Sequence, residues 1–175
     1  MELCQVPDRA GAADVSRLFA EHGNALLRFC YLQLGDAHLA QDAVQETFLR
    51  AHRRRASFRG ECGEKTWLTA IALNCCRDIR RRAWFRRERF SPALSDLPEP
   101  SEPFDPGDDT VITQVMALPL KYREAILLHY YQGLSVRDIA LATGTSENTW
   151  STRLRRARNI LKNKLERWYF DEEDL

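Results

Sequence analysis

The sequence predicts an all-α protein: two small helical domains joined by an extended, acidic, proline-rich linker. Three observations point there. Apolar residues recur at a period near 3.6 through every long segment but one, and no stretch alternates with the period of two that a half-buried strand shows. The exception, residues 91–110 ("SPALSDLPEPSEPFDPGDDT"), holds five of the seven prolines and six acids with no base. Helix start and stop residues stand at the ends of the periodic segments on both sides of it. With 175 residues, 44% hydrophobic and 29% charged, the chain has room for one ordinary globular domain or two very small ones.

The first block reads as three helices. Between Asp14 and Leu34, Val15, Leu18, Phe19, Leu26, Leu27, Cys30 and Leu34 mark an inward face, and Gly35 stops it. Asp36 is placed to cap a second helix, "AHLAQDAVQETFLRAHRRR", whose inner stripe is Ala40, Ala43, Val44, Thr47, Phe48 and Ala51. The two glycines of "SFRGECGEK" interrupt the pattern. It resumes in "TWLTAIALNCCRDIRRRAWFRR", with Trp67, Leu68, Ile71, Ala72, Cys75 and Ile79 facing inward.

Proline lacks the amide donor a helix needs and restricts its predecessor, so residues 91–110 are expected to be extended. About twenty residues at ~3.1 Å each could span up to ~60 Å. That length equals roughly eighteen base pairs at ~3.4 Å rise, so two blocks joined this way could touch one duplex almost two turns apart.

After the linker a short helix is expected near Val111–Ala117, then a longer one in "LPLKYREAILLHYYQG", with Pro119 near its start and Gly133 as a left-handed stop. The next stretch, "LSVRDIALATGTSENTWSTRLRRAR", has the punctuation of a DNA-binding helix-turn-helix. Ser135 and Asp138 fit a capping box, and Val136, Ile139 and Ala140 face inward. Gly144 supplies the positive φ of a tight turn, and Ser146 caps the second helix and, at its start, is also expected to touch DNA. In that helix Trp150, Leu154, Ala157, Leu161, Leu165 and Trp168 form one seam, so Trp150 is expected in the core. Asn148, Ser151, Thr152, Arg153, Arg155, Arg156 and Arg158 face outward, where guanidinium forks suit phosphate and guanine. A solvated charged face is the bland alternative; placement on the recognition helix favours DNA.

The formal net charge of +1 hides a segregation. Residues 1–90 carry 16 Lys/Arg against 11 Asp/Glu, residues 111–170 carry ten bases against four acids, and "DEEDL" closes the chain. Two basic blocks around an acidic strap point to a polyanionic partner. Cys4, Cys30, Cys62, Cys75 and Cys76 are odd in number and lack zinc-site spacing, which suits reduced thiols and no metal; a thiol switch at Cys75 and Cys76 is the competing reading. His22, His38, His52 and His129 are scattered, and no nucleophile–base pair or phosphate loop is visible, so no enzyme, cofactor or small-molecule substrate is expected. The N-terminus lacks a signal pattern and no apolar run reaches ~18 residues, so a cytoplasmic location is expected.

Three long stretches, "DAVQETFLRAHRRRASFRG", "KTWLTAIALNCCRDIRRR" and "LPLKYREAILLHYYQGLSVRDIALATGTSENTWSTRLRRAR", resemble in order a bacterial sigma factor of the extracytoplasmic-function (ECF) group, over about residues 15–166. The resemblance implies sigma region 2 in residues 1–90, a linker at 91–110 and sigma region 4 in 111–175. It implies docking of region 2 on a coiled coil of the polymerase β′ subunit, region 4 near the β flap, and contact with both promoter elements. On the second helix Asp42, Gln45, Glu46, Leu49 and Arg53 lie opposite the apolar stripe, a suitable docking face. The family places a pocket for a flipped minus-ten base at positions matching Phe58 and Asn74, with Arg59, Lys65, Arg77, Arg80 and Arg81 near enough to hold phosphates. An anti-sigma partner, membrane-anchored in many members, is also implied.

The chain departs from the family in the recognition helix. Where "GTVKSR" is usual it has "NTWSTR": Trp150 replaces a small β-branched core residue and Ser151 replaces a base. A helix-turn-helix regulator that works without core polymerase is the alternative function. It leaves the "DAVQETF" face and the loop pocket unexplained.

Overall fold

The computed structural model describes the backbone of residues 9–54, 62–86 and 109–172, with side chains from 15–54, 62–82 and 111–165. All regular structure among them is helical. The elements are α1 (Arg9–Leu34), α2 (Ala37–Arg54), α3 (Glu64–Arg86), α4 (Asp109–Met116), α5 (Leu120–Ile126), α6 (Val136–Thr143) and α7 (Glu147–Glu172). A π-helical turn, Leu127–Tyr131, continues α5. The expected linker lies outside the described residues, apart from its last two positions, which open α4.

In the first half, α1, α2 and α3 pack on one another. Gly35, at φ 71°, ends α1 and donates its amide to the Tyr31 carbonyl at 2.7 Å. Asp36 then caps α2, its Oδ1 accepting from the Leu39 amide at 2.8 Å. The buried stripe of α2 is Ala40, Ala43, Val44, Thr47, Phe48 and Ala51, as its sequence predicts. Alanines at three of these positions let the neighbouring helices approach closely, while Thr47 satisfies its hydroxyl on the Ala43 carbonyl.

Phe19 departs from expectation: it is 56% exposed. Its ring stands edge-on to Phe48 with centroids 5.0 Å apart, so it closes the rim of the α1–α2 seam instead of entering the core. The interior positions of α1 go to Leu18, Leu26, Phe29, Cys30 and Leu34.

The second half packs α4, α5 and α6 around α7. Pro119 precedes α5, and Gly133 ends the π turn at φ 70°. The π turn carries a Gln132 amide to Leu127 carbonyl bond of 2.9 Å. One wider turn re-aims the chain, so that the Leu134 carbonyl meets His129 Nδ1 at 2.8 Å just before α6.

The two halves touch. Helix α3 packs on α6, and α1 on the π turn. Buried residues of both halves belong to one apolar cluster, from Leu18 and Leu68 to Ile139 and Trp150. Arg28 of α1 also hydrogen-bonds Tyr131, opposing the upward push that burial gives the phenol.

Candidate functional site

The helix-turn-helix forms as its residues dictate. Ser135 Oγ accepts the Asp138 amide at 3.1 Å while Asp138 Oδ2 accepts the Ser135 amide at 3.3 Å, a complete capping box. Gly144 sits at φ 63°. Ser146 caps α7 by accepting the Thr149 amide at 3.3 Å, which commits a hydroxyl expected to touch DNA to the turn itself.

Trp150 is fully buried at the α6–α7 crossing. Its Nε1 donates to Thr143 Oγ1 at 3.0 Å, and that hydroxyl donates to the Ile139 carbonyl at 2.6 Å. The departure from a small β-branched residue is therefore accommodated as a filled core with its one polar atom paired. Above it, the Arg153 guanidinium lies 4.7 Å from the indole centroid, held by cation–π attraction. Asn148, Ser151, Arg155, Arg156 and Arg158 are exposed on the outer face, with Thr152 and Arg153 half-buried beside them. Arg156 also hydrogen-bonds the Tyr122 hydroxyl of α5 and holds its pKa below the ordinary value.

On α2, Asp42, Gln45, Leu49 and Arg53 form one exposed row opposite the buried stripe, with Leu49 51% exposed. Glu46 is engaged differently. It is half-buried and accepts from Arg50 Nε at 2.6 Å, and Arg50 Nη1 reaches Asp78 of α3 at 3.1 Å. Its carboxylate thus holds the arginine that ties α2 to α3.

The expected base pocket is divided. Phe58 and Arg59 lie outside the described residues. Lys65 and Asn74 are exposed on α3, and Arg81 is exposed while paired with Asp78 at 3.0 Å. Arg77 and Arg80 turn to the other half of the molecule. Arg77 Nη2 meets Glu124 Oε2 at 2.6 Å, and Arg80 Nη2 meets Glu124 Oε1 at 3.0 Å. Arg80 Nη1 also donates to the carbonyl and Oε1 of Gln33, each at 3.1 Å.

Glu124 is the residue that sequence reasoning missed. It is 4% exposed on α5, next to the buried Ala125 and Ile126. Its signal was an acid on the apolar phase of a helix in a base-rich block. Arg123, its neighbour, donates to the carbonyls of Met116 and Leu118 and lies close enough to Arg80 for mutual repulsion. Burial pushes the Arg80 and Arg123 pKa values down; Glu124 opposes this at Arg80.

Cys30, Cys75 and Cys76 are buried together under α2. A hydrogen bond with Cys76 and burial push the Cys30 thiol up, and burial does the same for Cys75. Glu21, His22 and Glu64 also converge, but Arg17 donates to both carboxylates at 2.9 Å, which makes the group an ion-pair cluster tying α1 to α3.

The geometry comprises a three-helix unit with a charged row, and a helix-turn-helix with a basic outer face. The family model described as Sigma-70 region 2 matches residues 18–86, and that of Sigma-70, region 4 matches residues 109–161. The chain is 35% identical over 163 residues to the ECF RNA polymerase sigma factor SigL of Mycobacterium tuberculosis, covering 90% of this chain and 92% of that one. The chain is an ECF RNA polymerase sigma factor.

SigW of Bacillus subtilis, of the same description, is 30% identical over 172 residues and is covered to 90% in both chains. The structure of this sigma factor is similar to that of RpoE from Bartonella quintana, solved in complex with the anti-sigma factor NepR. Their TM-score is 0.71 at 27% identity, over 87% of this chain and 97% of that one. Family membership decides between the two functions the sequence left open: this sigma factor directs core RNA polymerase to promoters. No helix among the described residues is long and apolar enough to cross a membrane.

Proposed function

We propose that this sigma factor docks on core polymerase through the α2 row, captures a minus-ten base beside Asn74, and reads the minus-thirty-five element with α7. Residues 1–90 and 111–175 are the working halves and residues 91–110 the tether between them. The observation that carries the docking assignment is the row Asp42, Gln45, Leu49 and Arg53, where a half-exposed leucine stands among charges on the face that α1 and α3 leave uncovered. A single exposed leucine is ordinary; one aligned with charges at helical spacing suits a partner helix.

Promoter opening is assigned to the exposed Asn74 and Lys65 of α3, with Phe58 and Arg59 as further members of the base pocket and Arg77, Arg80 and Arg81 as the holders of phosphates. An amide can read the edge of an extruded base and an aromatic ring can stack on it. On α7 the arginines supply phosphate contacts, with Arg153, Asn148, Ser151 and Thr152 nearest the base edges. The resemblance to RpoE, solved with NepR, supports an anti-sigma partner for this chain too. The protein works in the cytoplasm as an initiation factor, without chemistry of its own.

Charge reversal at Arg53 together with Leu49→Asp tests the docking face, because both side chains are exposed while Glu46 is paired with Arg50. Binding to core polymerase, measured by co-elution of the full chain, should fall at least tenfold with helicity unchanged. Undiminished binding by the folded variant refutes the assignment.

A further inference from the structure

We propose that Glu124 is an autoinhibitory latch, holding region 4 on region 2 so that Arg77 and Arg80 are unavailable to nucleic acid. The reading rests on the assignment of those arginines to DNA phosphates in the preceding section.

Four observations carry it. The two guanidiniums grip one buried carboxylate that lies across the linker in the sequence, at 2.6 and 3.0 Å. Arg80, with 21% of its side chain exposed, is closed over further by the Gln33 carbonyl and amide. A carboxylate so placed does what a phosphate would do: it accepts three charge-assisted bonds, two from the Arg77 fork and one from Arg80. Glu124 and a DNA backbone are therefore alternatives at the same atoms.

The third observation is the packing of α3 on α6, the first helix of the helix-turn-helix. A linker able to reach ~60 Å suits two promoter elements far apart on one duplex, and halves in direct contact cannot occupy both. The closed form must open for both to be bound.

The fourth concerns balance. Arg77 and Arg80 share one carboxylate with Arg123 close enough to repel Arg80, and Arg80 Nε, Arg123 Nε and Gln33 Nε2 are buried with no acceptor among the described residues. Buried, unpaired donors and like charges cost stability, which makes the contact one that a polyanion or polymerase can release. The same excess of positive charge makes the single anion decisive. Without it Arg80 is left between two like charges, Arg77 on its own helix and Arg123 across the interface.

The experiment uses the full chain and Glu124→Gln, which keeps the shape and removes the charge. Small-angle scattering reads compactness. Fluorescence anisotropy with an unrelated forked DNA bearing a single-stranded arm reads access to the arginines. Apparent affinity scales with the open fraction, so the variant should expand and bind the fork at least about tenfold more tightly at the same salt. A folded variant that stays as compact as the parent overturns the latch. Expansion with no gain in affinity overturns the inhibition.

Adding Arg77→Ala and Arg80→Ala in the Glu124→Gln background separates the two readings. Loss of the gain places nucleic acid on these arginines. A gain that persists leaves the latch standing as an autoinhibitory contact and refutes their assignment to phosphate. If circular dichroism shows that Glu124→Gln fails to fold, Arg77→Gln with Arg80→Gln removes the same ion pairs from the less buried side. That pair of substitutions must then expand the chain, and a folded, compact double variant overturns the proposal.

Discussion

Replacing Trp150 separates its two jobs, filling the core of region 4 and supporting Arg153. The indole is fully buried, so Trp150→Ala removes a large ring from a site that α6 and α7 cannot fully close. Truncations of this kind cost about 3–5 kcal/mol. Trp150→Phe keeps most of the apolar surface and loses the Nε1 bond to Thr143, worth about 1 kcal/mol net. Thr143 Oγ1 still donates to the Ile139 carbonyl, so no donor is orphaned there, and a total cost of about 1–2 kcal/mol is expected. Trp150→Leu removes the aromatic face beneath Arg153; cation–π support of about 0.5–1 kcal/mol then disappears from the arginine. If that support orients Arg153 towards DNA, promoter affinity of the holoenzyme should fall about two- to fivefold for Leu and little for Phe. Urea unfolding followed by helical circular dichroism gives the stability terms, and promoter binding with polymerase held constant gives the second. A loss below about 1 kcal/mol for Trp150→Ala refutes the packing argument. Equal promoter affinity for Phe and Leu refutes the stacking argument.

Two further outcomes follow from the proposed roles. Asn74→Ala should impair transcription from duplex promoters, and a template already mismatched over the melted segment should restore much of it, because unstacking is then complete beforehand; equal loss on both templates marks misfolding instead. Arg153→Ala should weaken promoter binding and relax preference at one base pair, whereas Arg158→Ala, about one and a half turns along, should lower affinity evenly and reduce the salt slope by about one at most. Unchanged promoter use by both, in a system that responds to scrambling of the upstream element, makes the basic face a solvated one.

Helical periodicity made much of the fold legible. The α2 stripe could be read residue by residue because small and apolar side chains recur without ambiguity behind an Asp36 cap. The helix-turn-helix was legible because Ser135, Asp138, Gly144 and Ser146 each have one physical use at their positions. Periodicity names a face and leaves its partner open, and the misses share that cause. Phe19 lies on the apolar phase of α1 yet meets the rim of Phe48. The π turn has no sequence mark, since Leu127–Tyr131 would continue a regular helix equally well. Glu124 could not be paired from sequence, because its partners Arg77 and Arg80 stand 47 and 44 positions away, across a linker.

That long-range pairing changes what the charge pattern means. Two basic blocks suggest two nucleic-acid faces, and in the closed chain they are not equally available. Arg155, Arg156 and Arg158 point outward on α7, while Arg77 and Arg80 are turned inward on one carboxylate. Each phosphate contact adds about 0.7–0.9 to the slope of log affinity against log salt. Withholding two removes about 1.4–1.8 from that slope, enough to weaken indiscriminate binding by about tenfold or more at low salt. A sigma factor needs its melting surface after polymerase has positioned it and gains nothing from exposing it earlier. An internal carboxylate that substitutes for phosphate meets that need without an added domain. The excess of guanidinium over carboxylate at the same interface keeps the substitution reversible.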